Sequence, residues 1–423
     1  MSVVAAVLLL LLGASAAGGL LNALFPRRAW WAIGPSWGAA FVTTELALHL
    51  IVLSTLAAAA LAVLGATGHV AGFVGLGLLV ATDLAAIPLV VSARRTRLST
   101  GSLVTELDIA DDDGKTPRYP LSHVAFPWLM FRRPGVKVVR GVEFARVDGR
   151  PLLADFYLPD TPATKPRPAV VQVHGGAWVL GSRREQGIPL LTHLAANGFV
   201  GMNIDYRLSP WAQWPDHVVD VKRAIAWLRE NAADYDVDPS FIAISGGSAG
   251  GHLSALAALT SDDRSLQPGF EDADTSVAAA VPFYGVYDML DEDRLHAPAL
   301  HDIVLAPLVF RVRRQHAPER YRAASPFFRV HADAPPFLVL HGTRDSLVPI
   351  ADAHKFVEAL RGVSRQPVLF GEMVGGQHAF DVIPSWRTAP VIEAIERFLT
   401  TTYEQRRQPA PTLRQELADA LTD

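Results

Sequence analysis

The sequence predicts an α/β chain: a mostly parallel sheet with helices on both faces, preceded by an all-helical apolar region. Three observations carry this. From Val136 onward, short apolar runs alternate with amphipathic helical stretches, as in a parallel sheet covered on both sides. The first hundred residues hold three apolar runs, each near or above the roughly 20 residues that cross a hydrocarbon core as helix. The segments rich in Gly, His and Asp fall just after predicted strands, where such sheets meet ligands. The chain has 423 residues, more than one compact domain ordinarily needs. A net charge of −4 and the absence of a basic block along any candidate helix argue against a nucleic-acid partner. With no cysteine, disulfides, zinc thiolates and a cysteine nucleophile are excluded. Mean hydropathy is positive, and the excess lies in the N-terminal quarter.

Residues 1–97 read as a membrane region with helices over 3–25, 38–66 and 70–92. No charge interrupts Met1 to Phe25; Arg27 and Arg28 follow, with Trp30, Trp31 and Trp37 where an interfacial belt would lie. The third run stops at Arg94, Arg95 and Arg97. A cleaved signal peptide is the alternative for the first run, but it lacks a basic n-region and offers only Ala14 to Ala17 for cleavage. Three spans put both arginine sites on one side, and the positive-inside rule makes that side cytoplasmic. The expectation is a multi-pass plasma-membrane protein with its C-terminal domain facing the cytoplasm. Glu45, His49 and Asp83 lie within these runs. An ionisable residue in a span is a functional hypothesis by default, and the plainer alternative is an interhelical polar clamp. His49 and Asp83, at similar depth, are candidates to pair.

Residues 98–135 read as a linker or interfacial segment, marked by Asp111, Asp112, Asp113 and Gly114. Within it, Phe126–Phe131 is either a membrane-interface element or the first buried piece of the next domain. That domain spans 136–403. Strands are expected at Val136–Val147, Leu152–Leu158, Ala169–Val173, Phe199–Asp205, Phe241–Ser245, Val277–Phe283, Pro336–Leu340 and Pro367–Phe370. Helices are expected at about 184–197, 217–233, 249–259, 351–360 and 388–399; the second shows Val218, Val221, Ile225 and Leu228 at helical spacing. Alternation fails over about 289–329, read as a cap insertion. Its apolar stretch 301–310, followed by Arg311, Arg313 and Arg314, would either roof a pocket or rest on anionic lipid. Residues 404–423 form a polar tail with Leu413, Leu417 and Leu421 at i+4 spacing.

The chemistry concentrates in four places. The strand Phe241–Ser245 leads into Gly246-Gly247-Ser248-Ala249-Gly250, a Gly-x-Ser-x-Gly pattern in the strand–turn–helix setting that makes a serine a nucleophile. The strand Ala169–Val173 ends in His174-Gly175-Gly176-Ala177-Trp178. The N–H groups of Gly175 and Gly176, with that of Ala249, are candidate donors to an oxyanion, and His174 is expected to orient this loop. A serine needs a base, and the base an orienting acid. In the order Ser, acid, His, these are Asp345, after strand Pro336–Leu340, and His378, after strand Pro367–Phe370. Asp381 and Asp288 are alternative acids; His252 and His341 read as structural. Trp178 and Tyr284 are candidate substrate contacts. Arg207 and Asp216 are expected to form a loop-pinning pair.

Taken together, His174-Gly-Gly-Ala-Trp178, Asp205-Tyr-Arg-Leu208, Gly247-Ser-Ala-Gly-Gly-His252, His341-Gly-Thr-Arg-Asp345 and His378-Ala-Phe380 resemble the α/β-hydrolase superfamily. The likeness is to its hormone-sensitive-lipase-like esterases and to the related feruloyl/acetyl-xylan-esterase and arylformamidase group. It covers roughly 136–400. Ala177 and Gly247 replace the third glycine of the oxyanion loop and the Asp before the serine common in the lipase-like branch, which leans toward the second group. Membrane helices ahead of such a domain look like the membrane-associated carboxylesterases of actinobacteria. The resemblance implies a carboxylesterase acting on a small-molecule or lipid ester through an acyl-enzyme on Ser248, with no metal or cofactor. Amide hydrolysis of the arylformamidase kind is the alternative chemistry. A non-catalytic membrane-tethered interaction module and a transporter or sensor are the alternatives of another class.

Overall fold

The computed structural model describes residues 1–27, 29–106 and 118–408. Arg28, the acidic stretch Asp111–Gly114, and Leu413, Leu417 and Leu421 therefore lie outside the described residues.

The N-terminal region contains helices α1 (Ser2–Leu24), α2 (Ile33–Glu45), α3 (Ala47–Val63) and α4 (Val70–Glu106). α1 and the part of α4 from Val70 to Thr96 are each long and apolar enough to cross a membrane. The expected single helix over 38–66 is instead a pair, α2 and α3, bent by 84° at Leu46. The physical reason lies next to the bend: Glu45, which hydrocarbon would disfavour, turns onto a buried arginine of the following domain. α4 overruns its expected end at 92: Ala93, Arg94 and Arg95 are good helix formers, so the change from apolar to basic residues does not break the helix. α1 and α4 pack through small residues. A Cβ on Gly75 would lie 2.5 Å from the Leu10 backbone, and one on Gly13 would lie 2.3 Å from the Gly75 carbonyl oxygen. His49 and Asp83 do not pair. The His49 ring contacts the carbonyls of Val124 and Ala125, at 2.9 and 3.2 Å, and Asp83 faces Thr55 at 3.5 Å.

A short helix α5 (Leu121–Ala125) and a 3₁₀ turn, Pro127–Phe131, lead into the next domain. Val124 and Met130 join its core, whereas Phe126, Trp128 and Phe131 are 50 to 66% exposed, so the segment is both anchored and apolar on its outside.

The described residues then build one eight-stranded sheet: β1 (Val136–Val147), β2 (Arg150–Pro159), β3 (Arg167–Val173), β4 (Val200–Ile204), β5 (Val237–Gly247), β6 (Ala280–Phe283), β7 (Phe337–Gly342) and β8 (Val368–Met373). Its order is β1-β2-β4-β3-β5-β6-β7-β8, with β1/β2 and β2/β4 antiparallel and the rest parallel. The inner strands are buried on both faces, which is why they read as unbroken apolar runs. The helices are α6 (Ile188–Ala196), α7 (Asp216–Glu230), α8 (Ala249–Ala258), α9 (Pro318–Ala323), α10 (Ile350–Arg361) and α11 (Thr388–Arg407). Val218, Val221, Ile225 and Leu228 form the fully buried stripe of α7. Core clusters lie on both faces of the sheet. Residues 404–407, expected in the tail, continue α11.

The connection after β3 leads to β4 on one side, while β5 pairs on the other. The carboxyl ends of β3 and β5 thus flank the switch point, where this architecture leaves a crevice. Between β6 and β7, the insertion folds as a ten-residue π-helical stretch (Leu300–Val309) followed by α9.

Candidate active site

Ser248 sits in the turn between β5 and α8 with φ 58° and ψ −119°, a conformation costly for a residue carrying a side chain. Its N–H donates to the Phe283 carbonyl, 3.0 Å away. The surrounding glycines are required by contact. A Cβ on Gly250 would lie 2.1 Å from the Val173 carbonyl oxygen, and one on Gly246 would lie 2.4 Å from that of Gly250. The helix can press against the strand only without those carbons, and that pressure holds the strained turn. Ser248 is half-buried although its flanks are buried, and α8 begins at the next residue.

His378 and Asp345 are brought together from the loops after β8 and β7. His378 Nδ1 lies 2.6 Å from Asp345 Oδ2. The other carboxylate oxygen accepts the N–H groups of Leu347 and Val348, both at 2.8 Å. Burial alone would raise the Asp345 carboxyl. The His378 ring and the neighbouring His341, 3.3 Å away, outweigh it and hold the group well below the usual carboxylate range. The alternative acids are engaged elsewhere. Asp381 accepts the Tyr284 hydroxyl, and burial pushes it up to about 6. Asp288 pairs with Lys355 at 2.8 Å.

Gln377, adjacent to His378, ties the two loops: its side-chain oxygen accepts from Ser346 N–H at 2.8 Å and from His378 N–H at 2.9 Å. Sequence reasoning gave Gln377 no role, and a lone amide in a loop carries no signal that could have assigned one.

The loop after β3 is left-handed over Gly176, Ala177 and Trp178, with φ of 118°, 53° and 60°. Gly175 abuts the serine: a Cβ there would lie 3.1 Å from Ser248 Cβ. Its N–H, however, donates to Gln186 Oε1 at 2.7 Å, so the expected donor role of Gly175 is corrected to a packing role. The Ala249 N–H, at the first position of α8, has no acceptor within its own helix, and Gly176 follows directly on Gly175, which abuts the serine turn. His174 stacks on Tyr206 with ring centroids 4.4 Å apart, and its carbonyl accepts the Tyr206 hydroxyl at 3.1 Å. Burial lowers its basicity, so it orients the loop as a neutral ring.

Both expected substrate contacts are corrected. Trp178 is 2% exposed and donates its indole N–H to His252 Nδ1 at 3.2 Å; His252 Nε2 in turn lies 2.7 Å from the Ala324 carbonyl. Burial pushes His252 down to about 4, and this neutral ring clamps the loop after β3, the serine helix and the insertion together. Tyr284 is 1% exposed; its ring lies 4.5 Å from that of His378 and fills the space a Cβ on Gly247 would need. It backs the imidazole from behind. The apolar side chain left facing out beside Gly176 is Leu180, 63% exposed.

Arg207 pairs chiefly with Asp220, at 2.8 and 2.9 Å, and with Asp216 at 3.3 Å, which pins its loop as expected but mainly through a different acid. A second polar cluster lies in the insertion, where Asp291, His296 and His301 converge. Arg314 stands among them, 3.2 Å from Asp291 and 3.4 Å from His301, and His296 faces Asp352 of α10 at 3.2 Å. A guanidinium already balances this cluster, which reads as a tether between insertion and body.

A serine in a strained strand-to-helix turn at the switch point, with a paired His and Asp on the loops after β8 and β7, defines the α/β-hydrolase class. Residues 154–360 match the model of the BD-FAE family. The chain is 49% identical over 259 residues to a probable carboxylic ester hydrolase, LipM, of Mycobacterium tuberculosis, which covers 60% of this chain and 60% of that protein. It is 46% identical to esterase LipQ of the same organism, covering 61% of each. The chain therefore aligns with less than two thirds of the length of these relatives. Among solved structures, a truncated carbohydrate esterase from gut microbiota superposes with a TM-score of 0.54 at 26% identity, covering 63% of this chain and 96% of that one.

Proposed function

We propose that the protein is a membrane-anchored serine carboxylesterase that works through an acyl-enzyme on Ser248. The observation that carries this is the 2.6 Å His378–Asp345 pair on the loops beside a serine held in a strained elbow. The esterase names of its relatives favour ester chemistry.

Ser248 Oγ attacks the ester carbonyl while His378 takes its proton, and Asp345 fixes the imidazole by its Nδ1 side and stabilises the imidazolium. The developing oxyanion is held by the N–H groups of Gly176 and Ala249, with Gly175 giving the serine room. His378 then protonates the leaving alcohol. Water repeats the sequence on the acyl-enzyme, returning the proton to Ser248 and releasing the acid. Leu180 contacts the acyl or alcohol group.

In this reading α1, α3 and the apolar part of α4 cross the bilayer, and α2 lies along its surface beneath the catalytic domain. Arg27, Arg94 and Arg95 then share one side, which the positive-inside rule makes cytoplasmic, and the catalytic domain stands with them. Exposed Phe126, Trp128 and Phe131 sit where an interfacial belt belongs.

The test is hydrolysis of p-nitrophenyl esters over a range of acyl lengths by the full chain and by Ser248→Ala. Turnover should fall by at least about 10⁴-fold in the variant. Equal turnover in both, with the fold intact, would reject the assignment.

A further inference from the structure

Two sets of contacts join the N-terminal helices to the loop that carries His378. Glu45, at the end of α2, is paired with Arg387, and both side chains are fully buried, with Nε 3.1 and 3.2 Å from the carboxylate oxygens. The same carboxylate accepts the Gln377 N–H at 3.4 Å and the Ser385 hydroxyl at 3.5 Å. Arg387 reaches on to the Val374 carbonyl, to Thr96 Oγ1 at 3.4 Å and to Ser92 Oγ at 3.5 Å, both on α4. Trp37, in the first turns of α2, donates its indole N–H to the His378 carbonyl at 3.2 Å and presents its ring edge-on to the imidazole, centroids 6.4 Å apart.

The loop needs such holding. It holds Gly375-Gly376, two residues with little conformational preference of their own, and it must keep an imidazole aligned between a serine and a carboxylate. A buried ion pair is a poor choice for docking alone, since an apolar pair of similar volume would serve as well or better. What the pair adds is fixed direction, and it is applied to the residue preceding His378.

We propose that Glu45 and Trp37 are positioning residues for His378, so that the apolar helical region is part of the active site and not a detachable anchor. Glu45 acts through Arg387 and Gln377; Trp37 acts through the His378 carbonyl. The inference rests on the reading of His378 as the catalytic base.

The experiment uses the full chain in detergent micelles and a short, soluble p-nitrophenyl ester, so that membrane partitioning of substrate plays no part. Rates are expressed per serine titrated by an organophosphate, and thermal melts establish that each variant is folded. Trp37→Phe keeps the ring and removes the donor; Glu45→Gln removes the charge; Glu45→Asp restores it. Glu45→Gln and Trp37→Phe should each lower kcat, by about 100-fold and about 10-fold, through misplacement of the imidazole. KM should change by less than about twofold, as befits a loss confined to the transition state. Glu45→Asp should recover most of the rate. Wild-type kcat per titrated serine in both Glu45→Gln and Trp37→Phe would overturn the proposal. If Glu45→Gln fails to fold, the milder Trp37→Phe decides alone: a lowered kcat supports the inference and an unchanged one overturns it. Failure of the underlying reading looks different, since the unmodified chain would then show no Ser248-dependent turnover, and the inference would fall with it.

Discussion

The sheet domain, residues 136–403, and the N-terminal helices are specified in different ways. In the domain, apolar runs are short and bounded by turn residues, or alternate at helical spacing, so period and punctuation reveal each element. Its helices present one apolar stripe, as the fully buried Val218, Val221, Ile225 and Leu228 of α7 show. The N-terminal helices are apolar all round. Such a sequence dictates that helices form but not which faces meet. Their arrangement is settled by a few exceptions: the glycines that let α1 and α4 approach, the Glu45–Arg387 pair, and the Trp37 hydrogen bond. A strongly patterned region is robust to its surface residues, whereas a uniform one hangs on its rare polar ones.

Four substitutions in the sheet domain sharpen this contrast. The largest effect is expected at Asp345. Asparagine there keeps the volume but cannot hold the His378 tautomer or its charge, so kcat should fall by about 10⁴-fold; the melting temperature should also drop at neutral pH, because the depressed Asp345 carboxyl stabilises the fold in its charged form. Steady-state kinetics beside calorimetry would check both halves. Gly250→Ala should act chiefly on stability. Its Cβ would lie 2.1 Å from the Val173 carbonyl, so the domain should lose about 3 kcal/mol or more of stability, read from denaturant unfolding.

Asp381 gives a pH-dependent effect. Its folded value is raised by burial from 3.8 to about 6, so its contribution to stability is fully present below pH 3.8 and lost as pH rises through about 6. Asp381→Asn stays neutral and still accepts the Tyr284 hydroxyl. It should be more stable than the parent above pH 6, by up to about 3 kcal/mol, and gain nothing at pH 4. Denaturation midpoints at pH 4 and pH 8 would show it, and an equal gain at both would contradict it. The smallest effect belongs to Leu180→Ser, which should raise KM for longer acyl esters about fivefold through lost apolar contact and leave kcat near its starting value.

Much of the sheet domain was legible in the sequence because its candidate site is tied to strand ends. The Ser248 elbow follows from a glycine frame that only close packing explains. Asp345 and His378 follow from chain order alone, before any distance is known. Residues acting from a distance were not legible. Gln186, which takes the Gly175 N–H, and Gln377, which bridges two loops, are single amides with no pattern around them. Trp178 and Tyr284 look like pocket aromatics, but burial turns them into supports for His252 and His378. Glu45 was visible as an anomaly in an apolar run; its partner lies 342 residues away and could not be read from either neighbourhood.

The most direct test of the account is covalent titration of the full chain with diethyl p-nitrophenyl phosphate. The account predicts a burst of one p-nitrophenol per chain and a single phosphoryl adduct, located on Ser248 by peptide mass analysis and absent from Ser248→Ala. An adduct on any other residue, or labelling undiminished by the substitution, would contradict it.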